Sequence, residues 1–503
     1  MGAIWRWALA ETVTVVPPSE ESRAGFRALM RNRNYALLWT GQLVSEMGNR
    51  FHWIAIALWI FALTRSASAV SFSIASMFAG SLFASVWAGA IADRFSRRTI
   101  LVSCDVVRAI LVAIIPLLID LNLGLWVVYL DLALISVASG FFRPAMFSIV
   151  PQVVLRGQLL AANSFFSAMD TSTEIIGPAL AGLLASRIGY ASLLYLDAFS
   201  YAVSALCILG IRFPGGGRRV GETRRIWREV VEGVNYVRRD PLQRALFVLI
   251  VPAYLVGSGL NALQTPLAKG VVGIGDREFG IFNSVWGAGF LVASLMVGWY
   301  GRTLSRTLLI VGGFFAQFTM TLMLGFSTSY GGLLATGFGV GFANTLSFVG
   351  LSTLLMEYTP SSLIGRVVST RQLALHMVRI MSPLVFGNLA EFTGVPISIA
   401  LMTLVGAAGT AAVATTLVPL LRRFESGAPV QEGALLSRHI LGGLDASLDH
   451  RAQVRLNFIS VAIVVLAWLY LAFIHTTEAF WVLLSVGAIA YFGALARRRG
   501  WLP

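Results

Sequence analysis

Long apolar runs separated by short polar turns repeat along the chain from about residue 36. The hydrocarbon core of a bilayer takes about 20 helical residues to cross. At that length the runs predict helices near 36–63, 69–92, 99–121, 125–149, 158–186 and 190–211. After an Arg-rich stretch they resume near 244–268, 278–300, 306–327, 330–357, 366–391 and 396–420. Two further candidate spans, Leu456 to Ile474 and Glu478 to Ala496, flank the short turn His475-Thr476-Thr477. The pattern is that of an all-α polytopic membrane protein with fourteen spans. Its expected parts are a tail (1–35), a six-helix bundle (36–211), an Arg-rich linker (212–243) and a second six-helix bundle (244–421). A polar linker (422–455) and an extra transmembrane hairpin with a basic tail (456–503) follow.

The two sets of six echo each other. Gly177-Pro178-Ala179-Leu180-Ala181-Gly182 returns 205 residues later as Ser382-Pro383-Leu384-Val385-Phe386-Gly387. The turn that starts at Gly89 returns 209 residues later at Gly298. Similar offsets in two separate motifs argue for duplicated halves. Parallel halves with a site near the midplane between them are a recurrent transporter architecture.

Composition agrees with a membrane chain: 57% of residues are hydrophobic and 12% charged, about half the charge of an average soluble domain. The net charge of +14 invites a nucleic-acid reading, but the arginines collect in alternate loops. One loop holds Arg218, Arg219, Arg224, Arg225, Arg228, Arg238 and Arg239, whereas the opposite side carries little beyond Arg65, Arg187, Lys269 and Arg277. Positive charge retained on one side implies that both chain ends are cytoplasmic in a multi-pass cell (inner) membrane protein. Cys104 and Cys207 fall inside apolar runs and read as small buried hydrophobes. No phosphate-binding Gly-Lys-Ser/Thr loop and no metal-ligand or nucleophile–base set is present. The expectation is therefore no enzyme, no metal, no cofactor and no nucleic acid, with a proton gradient as the energy source.

Charged residues at bilayer depth are costly and mark ion or substrate pathways. Asp170 lies about 18 Å along its predicted helix, and Glu174 is one turn further on. Two carboxylates in a low-dielectric setting can share a proton at neutral pH, which suits proton coupling; a hydrogen-bonded interhelical contact is the other reading. Glu46 and Arg50 are spaced for an intrahelical ion pair, either structural or part of a gate, and Glu46 is a further proton-coupling candidate. His52 either titrates or faces a helix neighbour. His376 and Arg379 sit near mid-depth in the eleventh span, where Arg379 is read as part of a charge network with a carboxylate. Asp105, Arg108 and Asp197 read as structural.

Several motifs resemble one family. Gly89…Asp93-Arg94…Arg97-Arg98 is similar to the second-to-third-loop signature of the major facilitator superfamily. Leu38-Trp39-Thr40-Gly41-Gln42, Phe142-Arg143-Pro144-Ala145, Ala161-Ala162-Asn163-Ser164, Ile176-Gly177-Pro178-Ala179 and Gly365-Arg366-Val367-Val368-Ser369 resemble its macrolide-efflux and enterobactin-exporter branch. The likeness runs from about Phe26 to Arg423. Ser96 replaces the second Gly of the loop signature, Asn49 stands where the resemblance leads to an acid, and Thr173 replaces an earlier Gly of the fifth-helix motif.

The resemblance implies two six-helix bundles rocking about a central site. Gly89, Asp93, Arg94, Arg97 and Arg98 would form a conformational latch. Gly177, Pro178 and Gly182 would form the fifth-helix packing motif of proton-driven antiporters. Arg50, Asn49, His376 and Arg379 would border the substrate cavity. The implied activity is proton-coupled export of a small amphipathic molecule, such as a drug, macrolide or siderophore-like compound. Lysophospholipid-type transport without strict proton coupling is one alternative, and a membrane scaffold or sensor on a transporter fold is another. The C-terminal hairpin would serve an oligomer or a partner.

Overall fold

The structure, a computed structural model, describes residues 26–212, 234–238, 240–301, 305–359 and 363–425. The hairpin expected over 456–496, most of both linkers and the tail before residue 26 lie outside the described residues. Within them the chain forms helices and no strand.

A short helix, Phe26–Arg31, occupies the end of what the sequence reads as tail. The first bundle then comprises α1 (Arg33–Thr64), α2 (Ala67–Arg94), α3 (Arg97–Asp120) and α4 (Leu125–Val153). It is completed by one long run, Leu159–Gly210, that Gly189 breaks into α5 (159–188) and α6 (190–210). The second bundle comprises α7 (Pro241–Thr265), prolonged by the π-helical turn Pro266–Val272, and α8 (Asp276–Tyr300). Then come α9 (Gly313–Gly325), α10 (Tyr330–Tyr358), α11 (Ile364–Thr393) and α12 (Val395–Glu425). Ten helical segments, the Leu159–Gly210 run taken as one, are long and apolar enough to cross a membrane.

Side-chain caps set several starts. Asn32 accepts from the amides of Asn34 and Tyr35, Ser66 from Ala69, Ser96 from Thr99, Asp240 from Gln243 and Ser329 from Gly332. Each satisfies a first-turn amide that has no partner inside the helix. Ser96, where the loop signature has Gly, is thus the cap of α3.

The backbone repeats with the sequence. Gly189, between α5 and α6, has φ 80°, and Gly394, 205 residues on between α11 and α12, has φ 84°. Both are left-handed positions where a Cβ would be strained. Arg65 and Gly273 end α1 and the α7 run in the left-handed region as well.

The halves meet along α2 with α11 and α5 with α8. Ser66 and Ser68 donate to Glu391 (2.6 Å from Oγ and 2.8 Å from the amide), Ser68 bonds Asn388, and Tyr190 donates to Asp276 at 2.9 Å. These contacts lie where α1 turns into α2, α5 into α6, α7 into α8 and α11 into α12, and this is the sealed end. A Cβ at Gly182 would stand 2.8 Å from Gly280 Cα, so two glycines bring α5 and α8 together there. Without a hydrophobic drive between helices in lipid, such close packing is what holds the seam.

At the opposite end the halves part. Leu29, Tyr35, Leu101, Ile149 and Ile208 belong to an apolar cluster made of the first half alone. Val237, Leu355 and Val367 make another in the second half. Only the main cluster, which includes Ile60, Leu193, Leu267 and Phe279, joins both. This is the split end.

Candidate functional site: a cavity between the bundles

Between the bundles lies a cavity of about 510 Å³. Its walls are aromatic (Trp53, Phe78, Tyr254, Trp286, Phe290, Phe348) with amides interleaved (Asn261, Gln264, Asn283, Gln317, Asn344). Three ionisable side chains reach it: Arg50 from α1, Glu174 from α5 and Arg379 from α11. None of the three closes an ion pair among the described residues. An apolar, concave wall with a few converging polar groups is the usual form of a small-molecule site.

The expected site residues divide. Glu174 lines the cavity, but Asp170 does not and is exposed; the pair was expected to act as one, and the two are separated. The two share a helix face, but Asp170 lies about 6 Å nearer the split end along α5, beyond the cavity wall. Glu46 is half-buried beneath the cavity, within electrostatic reach of Arg50, Asp170 and Arg143. The expected Glu46–Arg50 ion pair does not close. Arg50 instead lies over Gly177, where a Cβ would meet its Cβ and Cγ at 2.7 Å. The Gly177-Pro178 motif thus makes room for a cavity arginine; Pro178 lines the cavity too.

Arg379 was expected in a network with a carboxylate. It stands over the rings of Tyr254 at 4.8 Å and Phe78 at 5.6 Å, a cation–π setting that leaves its charge uncompensated. His376 does not line the cavity; it is half-buried with Nδ1 unpartnered. Asn49 is also off the wall and accepts the hydroxyl of Tyr201. The side chains of Gly89's neighbours Asp93 and Arg94 lie outside the described residues. Arg97 donates to the carbonyl of Ser148 at 3.0 Å and Arg98 to that of Leu209, both within the first bundle. Cys104 and Cys207 are free thiols, one buried and one half-buried.

A second polar assembly fills the first bundle. His52 Nδ1 lies 3.2 Å from Asp197 Oδ2, with both side chains buried. Arg108 pairs with Asp105 and is held between the rings of Phe142 (4.2 Å) and Tyr201 (4.3 Å). Asp131 is buried nearby on α4, within electrostatic reach of His52. Sequence reasoning treated Asp105, Arg108 and Asp197 as structural and did not single out Asp131. The signal was there: Asp131 is the only acid in the apolar run 125–149. The cavity aromatics had none, because an aromatic that faces lipid and one that faces a cavity read alike.

The Major Facilitator Superfamily profile matches residues 38–383. Macrolide efflux protein A of Streptococcus pyogenes is 26% identical over 351 residues, covering 66% of this chain and 83% of its own. The multidrug efflux pump Tap of Mycolicibacterium fortuitum is 30% identical over 232 residues, covering 43% and 54%. Among solved structures, a bacterial homolog of the human lysosomal transporter Spinster, in an inward-facing and unoccupied conformation, aligns with TM-score 0.60 at 14% identity. It covers 79% of this chain and 99% of that one. The nucleoside transporter NupG, solved as a point mutant, aligns with TM-score 0.61 at 12% identity, covering 76% and 99%. Family, fold and apolar helices agree: this chain is a multi-pass membrane transporter and belongs to the major facilitator superfamily.

Proposed function

We propose that the chain exports a small amphipathic molecule across the cell membrane in exchange for protons, by alternating access of the central cavity. One observation carries this reading. Arg50 and Arg379 reach the aromatic cavity from opposite halves, and among the described residues neither is neutralised by an ion pair. An uncompensated guanidinium on an apolar wall recruits an anionic or strongly accepting group, while the rings take up the apolar remainder of the ligand. The relatives named as efflux proteins support the direction of transport.

Arg31, Arg33, Arg97, Arg98 and Arg212 stand at the split end, which supports a cytoplasmic setting for that end in this reading. The sealed end then faces outward, and the cavity is loaded from inside. Glu174 is the cavity carboxylate best placed to exchange a bound proton for substrate. A transporter with no nucleotide-binding loop draws its energy from an ion gradient.

Inverted membrane vesicles acidified inside test the reading with a panel of macrolides, cationic dyes and catecholates. Uptake that an uncoupler abolishes is the expected result. Uptake of any of them that ignores the uncoupler contradicts proton exchange. No uptake by folded protein contradicts export of this substrate class.

A further inference from the structure

The first bundle buries more ionisable groups than its packing explains. His52 on α1, Asp131 on α4 and Asp197 on α6 are 4%, 6% and 0% exposed. Both ring nitrogens of His52, Asp131 Oδ2 and Asp197 Oδ2 have no hydrogen-bond partner. The 3.2 Å approach of His52 to Asp197 is an ion-pair contact out of line for a hydrogen bond. Around them are Ile54, Val128, Leu132, Leu194 and Ala198 of the main apolar cluster. Buried polar atoms left unpaired cost free energy, and none of the three touches the substrate cavity.

We propose that His52, Asp131 and Asp197 form a proton-binding site inside the first bundle, separate from the cavity. It deepens the proton-exchange reading above and rests on it. Buried carboxylates and an imidazole with unpartnered polar atoms are groups that exchange protons, and a proton is the ion proposed for this trio. With one proton shared among its three groups, the trio carries a net charge of −1. A second proton, taken from solvent onto Asp131, makes it neutral, the form a buried apolar setting favours.

Position supports outside access. Asp131 lies about 9 Å along α4 from Leu125, and Asp197 about 10 Å along α6, both counted from the sealed end. The next layer toward the split end holds Asp105 with Arg108 from α3 and Tyr201 from α6, which are mutually paired, and then Glu46 with Arg50 from α1. The ionisable residues of α2, Asp93 and Arg94, sit at its far end; those of α5 are Arg187, at the sealed end, and Asp170 and Glu174, toward the split end. Among the described residues neither Asp131 nor Asp197 pairs with a Lys or Arg, so His52 is the one cation in contact with the trio's carboxylates. Opening of the sealed end would expose it to outside solvent; closure would trap its proton state.

The test reads the switch itself. In a Cys104→Ala/Cys207→Ala background, nitroxides at Leu63→Cys and Phe392→Cys report the distance across the sealed end as pH is varied. The wild-type trio should give a pH-dependent distance. His52→Gln and Asp131→Asn should each move its midpoint by about one pH unit or more, or abolish it, with no loss of folding. An unchanged midpoint in both folded variants overturns the site while proton exchange stands. A distance that ignores pH in the wild type overturns the site and the exchange reading together. Should the variants not fold, ring-nitrogen NMR of the wild type decides, with His52 assigned through Phe51-His52, the one Phe-His pair in the sequence. A ring signal that changes with the distance supports the site, and one that stays constant overturns it.

Discussion

The two halves share a backbone and differ in what they bury. In the first, Gly48 of α1 packs against Asp197 and Ser200 of α6. At the corresponding crossing in the second, Gly259 of α7 packs against Met402 of α12, 205 residues after Asp197. Arg108 has Gln317 as its counterpart 209 residues on. Every buried charged side chain among the described residues lies in the first half, while the buried polar groups of the second are hydroxyls and amides. The second half instead supplies most of the cavity wall, including Tyr254, Trp286, Phe348 and Arg379. On the proposed reading, one fold serves two tasks: the charged interior would respond to protons and the aromatic wall would hold the substrate.

The largest effect should come from breaking the charged interior. Arg108→Met leaves Asp105 buried and uncompensated, a loss of about 3–5 kcal/mol, read as a lower unfolding midpoint in detergent. Gln317→Leu, its counterpart, removes only a neutral group and should cost about 1–2 kcal/mol. Equal losses would erase the contrast between the halves.

Arg379→Ala should weaken binding of an acid-bearing ligand by about 1.5–3 kcal/mol, tenfold or more in Kd, with the unfolding midpoint nearly unchanged. Isothermal titration with a bound panel compound checks both. An unaltered Kd would remove the guanidinium from the binding wall.

Glycine substitutions sharpen the comparison at equal volume. Gly48→Ala pushes a methyl into Ser200 and Asp197, which their pairing holds in place, and should cost about 1–3 kcal/mol. Gly259→Ala meets the thioether of Met402, a side chain that adapts, and the hydroxyl of Ser382 at 2.8 Å, and should cost less than Gly48→Ala, about 1–2 kcal/mol. The smallest effect is expected at the seal. Glu391→Gln weakens the bonds from Ser66 and Ser68 by about 0.5–1.5 kcal/mol, widening the distribution of distances across the sealed end without touching ligand affinity.

Much of this architecture was legible in the sequence because bilayer thickness fixes helix length. Helices form at each of the twelve positions expected before residue 421, and all but the first, Arg33–Thr64, fall in segments long and apolar enough to cross a membrane. The duplicated halves were legible from Gly177 and Gly89 and their echoes, and the structure adds Gly189 with Gly394. The site was legible in part. Arg50, Glu174 and Arg379 stood out as charges in apolar runs and do face the cavity. Their partners were not legible, because where the cavity ends along α5 decides that Glu174 lines it and Asp170 does not, and Tyr254 shields Arg379 by a contact between distant helices. His52 and Asp197 are 145 residues apart, and only the packing of α1 on α6 brings them together.

The division of labour between the halves is tested most directly by one paired flux measurement. Proteoliposomes carrying wild type, Arg379→Ala or Asp131→Asn would be assayed for substrate exchange as a function of both substrate concentration and pH. Arg379→Ala should raise KM with the pH profile intact, and Asp131→Asn should shift the pH profile with KM little changed where the wild type is deprotonated. If each variant changes KM and the pH profile alike, proton response and substrate binding are not divided between the halves.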